Sequence, residues 1–165
     1  MISEAAPVDR GDYFYAGQES SYEQTTLKAF QQAGVPVTSF SQILDLGVYL
    51  TSAVKCGKTG YGIKVGTIKE CSKILEKEIA LFPNARAIML MGDVAIKAIN
   101  YIAKRAGEPR VFPADSTYKI RGGEYYFREM RAFPSYLQVG PSFGIEKSKQ
   151  RMIAEDISAA LYLIS

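Results

Sequence analysis

The residues that decide what chemistry is open to this chain include one type it lacks. None of its 165 residues is a histidine. That removes Ser-His-Asp and Cys-His nucleophile pairs, histidine metal sites and a histidine general acid or base. Any chemistry must run on carboxylates, hydroxyls, backbone dipoles or a cofactor. Glu4 stands just ahead of Ala5-Ala6-Pro7, and Asp9 and Asp12 follow in the next loop. A carboxylate so placed either orients a nucleophile or serves as a loop or helix cap. Phe14 and Tyr15, within the aromatic run Tyr13-Phe14-Tyr15, either offer a stacking face or lid the core. Cys56 and Cys71 are the only cysteines, and they are either metal ligands or buried thiols. Two cysteines are too few to frame a disulfide-rich secreted domain, so the cytoplasm is the default compartment. Near the C-terminus Lys147, Lys149 and Arg151 suit phosphate contacts. Glu146, Glu155 and Asp156 interleave with them, as on a solvated helix face. Lys55, Lys58 and Lys64 form a weaker basic set of the same kind.

The elements that must hold these residues follow from composition and pattern. With 47% apolar and 22% charged residues, the chain reads as a single domain over 1–165 with one core. No apolar run reaches the roughly 18–20 residues of a membrane span, and no secretory signal pattern opens the sequence. A net charge of +3 permits a nucleic-acid partner without requiring one. Residues 1–4 read as the end of a strand, 8–20 as a loop and 21–33 as a helix stopped by Gly34 and Pro36. Residues 48–54 form a short β-branched strand. Thr67 and Glu70 match a capping box opening a helix to about Phe82. Residues 87–91 are a continuous apolar strand, and a helix follows over 94–104. Two short strands flank Arg121-Gly122-Gly123, residues 133–144 form a loop, and 145–163 close the chain as a helix. Strands alternating with helices predict a three-layer α/β/α domain around a mostly parallel, four-stranded sheet. In such sheets ligands bind at the carboxyl ends of the strands. Four segments should meet at that edge: Glu4-Ala5-Ala6-Pro7, Ser52-Ala53-Val54-Lys55, Gly92-Asp93 and Phe133-Pro134-Ser135.

Taken in order, those segments resemble the uracil-DNA glycosylase superfamily, in particular its iron–sulfur branch, family four. Ser3-Glu4-Ala5-Ala6-Pro7 resembles the family's Gly-Glu-Ala-Pro-Gly turn, and Phe14-Tyr15-Ala16-Gly17 its base-stacking aromatic segment. Tyr49-Leu50-Thr51-Ser52-Ala53-Val54-Lys55-Cys56 is similar to the strand Tyr-Ile-Thr-Asn-Val-Val-Lys-Cys. Leu90-Met91-Gly92 echoes a Leu-Gly strand end, and Phe133-Pro134-Ser135 stands where the family has His-Pro-Ser. The resemblance implies a DNA-binding enzyme of base-excision repair that flips a base and hydrolyses its N-glycosidic bond. It implies that Glu4 orients water, with Asp9 as the next carboxylate. Ala5, Phe14, Tyr15 and Ser52 would contact the base, and Ser135 a phosphate. Pro134, Tyr136 and Leu137 would form the wedge that fills the vacated stack, and Lys147 and Lys149 would contact the backbone. A monomer without a membrane partner is the expected working unit.

The departures bear on chemistry. Phe133 replaces the histidine that donates to the leaving base, and Ser52 replaces the asparagine that reads it. A hydroxyl cannot present an amide's paired donor and acceptor, and losing the histidine removes stabilisation of the departing anion. The alternative function is therefore a catalytically silent member that binds nucleic acid or a nucleotide in the same cleft. The family's 4Fe-4S cluster takes four cysteines, of which the resemblance finds Cys56 and Cys71. The short first strand and the missing pair together predict that Met1 is internal to a longer protein with a Cys-x-x-Cys upstream.

Overall fold

The apolar run Ala87–Met91 lies at the centre of the sheet, as a strand covered on both faces must. The computed structural model describes residues 1–17, 19–57 and 62–165. Its strands are β1 (Ile2–Ala6), β2 (Thr51–Gly57), β3 (Ala87–Met91), β4 (Tyr125–Phe127) and β5 (Met130–Ser135), in the order β2-β1-β3-β5-β4. β1, β2, β3 and β5 are parallel, and β4 runs antiparallel to β5. The sheet thus has five strands where four were expected, because the short outer strand β4 extends the parallel four.

The helices are α1 (Ser21–Gln32), α2 (Phe40–Asp45), α3 (Val65–Ile79), α4 (Asp93–Arg105), α5 (Thr117–Ile120) and α6 (Lys147–Ile164). α3 and α4 cover one face, burying Ile68, Leu75, Ile96 and Ile99 against Ile2, Ile88 and Leu90. α1 and α6 cover the other, burying Leu27, Phe30, Ile153 and Ile157 against Met89 and Met91. The alternation of β3 explains this: even-numbered residues face one layer and odd-numbered residues the other. Among the described residues no helix is long and apolar enough to cross a membrane.

Several local readings change. α3 begins at Val65 rather than at a Thr67 cap, because the Lys64 carbonyl already accepts the Ile68 N–H at 3.2 Å. β2 starts at Thr51, three residues later than the pattern suggests, and continues to Gly57. Tyr118 lies in the short helix α5 rather than in a strand. The hairpin turn is Arg128-Glu129, with Arg128 at φ 55°, rather than Arg121-Gly122-Gly123. Phe133-Pro134-Ser135 belongs to β5 and not to a loop: Phe133 lies opposite Met89, Pro134 opposite Leu90 and Ser135 opposite Met91. Proline is tolerated there because β4 pairs only as far as Ala132, leaving no ladder partner on the side that its missing N–H would face. β1 is a full five-residue strand, and the Met1 carbonyl already accepts the Thr51 N–H.

Candidate active site

Parallel pairing sets the motif positions on one level. Ser52 pairs with Ser3, Met91 pairs with Ser135, and Ile2 opposite Leu90 brings Ser3 level with Met91. Glu4 and Gly92 therefore follow at the carboxyl edge of the two central strands. There they meet: a Cβ built on Gly92 would lie 2.5 Å from Glu4 Oε1. Gly92 has φ 106° and ψ 163°, a region essentially reserved for glycine. The carboxylate thereby reaches the first turn of α4, where the Val94 N–H donates to Oε1 at 3.4 Å. Unpaired amides and the helix dipole favour a negative group at this position. Beside it the Tyr22 hydroxyl donates to the Ala5 carbonyl at 2.9 Å. Burial, together with the nearby Tyr13, Glu4 and Asp12, pushes the Tyr22 phenol up to about 12 and keeps it a neutral donor.

The remaining expected site residues are placed less simply. Ala5 is buried, and its carbonyl is taken by Tyr22. Asp9 is exposed and accepts the Gly11 N–H at 2.8 Å, capping a turn of 3-10 helix. Phe14 is 1% exposed, roughly parallel to Phe40 at 6.2 Å, so it belongs to the core and has no free face for a base. Tyr15 is half exposed, but its hydroxyl turns to the Leu50 backbone. Ser52 is buried, and its hydroxyl donates to the Val54 carbonyl of its own strand at 3.0 Å.

Ser135 is likewise enclosed, and this corrects the phosphate-contact expectation. Its hydroxyl donates to Asp156 Oδ2 at 2.6 Å, and Asp156 pairs with Arg121 at 2.9 Å. Burial pushes the Asp156 carboxyl above the usual aspartate range against the opposing hydrogen bonds from Ser135 and Arg121. Asp156 is thus an interior residue and not part of a solvated helix face. Pro134 is buried within β5, which leaves Tyr136 and Leu137, both half-buried, as the residues that extend past the strand end. Lys149 lies over the Tyr136 ring at 5.3 Å and pairs with Glu146 at 3.0 Å, while Lys147 is exposed at the start of α6. The residues past the end of β5 and the first turn of α6 are therefore brought together. Lys64 is exposed at the start of α3, Lys55 pairs with Glu78, and Lys58 lies outside the described residues.

Cys71 is buried in the α3 layer, where its Sγ accepts the Lys55 N–H at 3.5 Å, and Cys56 is exposed at the end of β2. The two thiols flank one strand end. Among the described residues no group of three or more potential metal ligands forms. Two cysteines do not by themselves fit a cluster that takes four cysteine ligands.

Sequence reasoning passed over Tyr22 and Gln138 as site residues and placed Asp156 on a solvated helix face. Gln138 is fully buried and exchanges hydrogen bonds with Ser3 at 3.1 and 3.2 Å. Gln138 lies between Leu137 and Val139, but Tyr22 is flanked by Ser21 and Glu23 and Asp156 by Glu155, a context that does not separate a buried network from a surface one.

A family model for the uracil DNA glycosylase superfamily matches residues 11–151. The chain belongs to the uracil-DNA glycosylase superfamily. The matched span carries Phe14, Tyr15, Ser52, Gly92 and the β5 segment, whereas Glu4 precedes it. The α/β architecture described above is consistent with that membership. The chain matches no curated protein.

Proposed function

We propose that this superfamily member binds DNA, everts a base and hydrolyses its N-glycosidic bond, with Glu4 orienting the attacking water. The observation that carries this reading is the seat of Glu4. Its carboxylate is held at the carboxyl edge of the central strands by the start of α4 and by the cleared space at Gly92. A negative group fixed at that edge suits both a water nucleophile and the positive sugar of an oxocarbenium-like transition state. Tyr136 and Leu137, with Lys149 beside them, are the candidate wedge and phosphate contacts. Glu4→Gln keeps the shape and removes the charge. Excision from base-modified duplexes, followed by strand scission at the abasic site, should slow by about 100-fold with DNA binding retained. Undiminished turnover would remove Glu4 from the mechanism.

A second reading, binding without excision, is favoured by the missing polar groups. No histidine stands at the strand end, and the Ser52 hydroxyl is committed to Val54. Retained duplex binding with no excision of any modified base would select it.

A further inference from the structure

A concavity lies beside the proposed active site. It is a groove of about 850 Å³ running from Ala6 and Pro7, past Arg10, Tyr13 and Tyr15, to Tyr49 and α3. It follows β2, which is an edge strand of the sheet. The Tyr15 hydroxyl spans that edge by donating to the Leu50 carbonyl at 2.9 Å and accepting the Leu50 N–H at 3.3 Å. This fixes the ring with 48% of the residue exposed, next to Tyr49 at 39%. The rings form a ladder. Phe40 to Tyr15 is 5.2 Å, Tyr15 to Tyr49 is 6.2 Å at 29°, and Tyr49 to Phe82 is 4.6 Å. Such a row offers flat apolar faces at the surface, with Tyr15 anchored by Leu50 and Tyr49 by Glu78.

The charges around the ladder are not balanced. Lys55 and Glu78 neutralise each other, with Thr51 and Tyr49 completing the hydrogen bonds of Glu78. Arg10 and Lys77 are exposed and make no ion pair among the described residues. Two free cations beside anchored tyrosines match a strand whose bases stack and whose phosphates repel one another. A duplex hides its base faces, so the matching ligand is single-stranded. The groove also begins at Ala6-Pro7, the turn that leaves Glu4.

We propose that this groove binds the single-stranded DNA flanking the target nucleotide, stacking bases on Tyr15 and Tyr49 and placing phosphates at Arg10 and Lys77. The proposal rests on the DNA-binding reading above. It is tested by fluorescence anisotropy of a twelve-nucleotide oligo-dT and of a duplex of equal length, across a salt series. The Arg10→Ala/Lys77→Ala double variant should weaken oligo-dT binding about 10-fold. It should also lower the log–log salt slope by about 1.4, at roughly 0.7 per lost phosphate contact. Tyr49→Ala should cost about 5-fold or more, the low end of one lost stacked base. Lys104→Ala, which removes an exposed charge on α4, should change neither. Oligo-dT binding with unchanged affinity and slope in the double variant would overturn the groove, as would an equal loss in Lys104→Ala. If the duplex still binds in either case, the DNA-binding reading survives. If the wild-type protein binds neither DNA, both fall together.

Discussion

Gly92→Ala tests whether the seat of Glu4 is built as described, because both sources of its cost are visible. The first is the backbone: φ 106° and ψ 163° are essentially glycine-only, and another residue there costs roughly 1–3 kcal/mol. The second is the new methyl group. It would lie 2.5, 2.7 and 2.8 Å from Oε1, Cγ and Cδ of Glu4, so the side chain must move and release Val94. Losing a carboxylate from a helix start costs about 0.3–1 kcal/mol. The total is roughly 1–4 kcal/mol, or about 3–16 °C in Tm for a chain of this size. The two contributions separate in a double-mutant cycle. All three clashing atoms lie beyond the Cβ of Glu4, so Glu4→Ala removes them while the backbone strain stays. Gly92→Ala should then cost about 1 kcal/mol less in the Glu4→Ala background than in the wild type. Urea unfolding of the four proteins reads this coupling directly. Additivity within about 0.3–0.5 kcal/mol would show that the two residues do not share the space. A neutral Gly92→Ala would refute the backbone argument as well.

Two further outcomes concern base choice and pH. On the proposed reading, Ser52→Asn introduces a paired donor and acceptor at the β2 position and should raise excision of uracil. Absence of any gain on uracil or another deaminated base would count against the assignment of that strand position. Burial opposes ionisation of Glu78, but hydrogen bonds from Lys55, Tyr49 and Thr51 outweigh it and hold the carboxyl below the usual glutamate range. A lowered folded-state value means that its stabilisation is complete above the ordinary glutamate range and disappears as pH falls through the lowered value. Glu78→Gln should therefore melt lower than wild type at pH 7, and the difference should narrow on acidification to pH 3. A Tm difference that stayed constant between those pH values would exclude this linkage.

The architecture was legible because hydrophobic pattern encodes layers. The apolar run 87–91 and the helical spacing of Ile153, Ile157 and Leu161 each found their place in the core or packed against it. The nearness of Glu4, Ser52, Gly92 and Ser135 at one sheet edge was legible as an expected meeting of segments. What failed was the direction and burial of single side chains. Phe14 and Tyr15 are neighbours of the same kind, yet one is sealed against Phe40 and the other stays half exposed at the β2 edge. That division depends on how the loop crosses the sheet, which local sequence does not specify. Asp156 failed for a related reason. Its surface-like neighbours Glu155 and Arg151 hide the fact that one helix position points at Ser135 and Arg121. Boundaries such as the start of α3 depend on which carbonyl closes the first turn, and several adjacent residues compete for that role.

The residues present suit the two halves of the proposed reaction unequally. Breaking an N-glycosidic bond leaves positive charge on the sugar and negative charge on the base, and a site can stabilise either. The group suited to the sugar and its water is present: Glu4 is fixed by Gly92 and α4 at the strand ends. The polar groups nearest the base side are committed elsewhere. Ser52 is turned into its own strand, Phe133 packs as a strand residue opposite Met89, and the Ser135 hydroxyl serves Asp156. On the proposed reading, the protein contributes to cleavage mainly from the sugar side, and the base must carry its own negative charge. Bases that leave readily as anions would then react fastest, with discrimination set by leaving ability more than by hydrogen-bond readout. The same asymmetry increases the importance of contacts outside the base pocket. With little binding energy available from reading the base, positioning would rest on the flanking strand, the role assigned to Tyr15, Tyr49, Arg10 and Lys77.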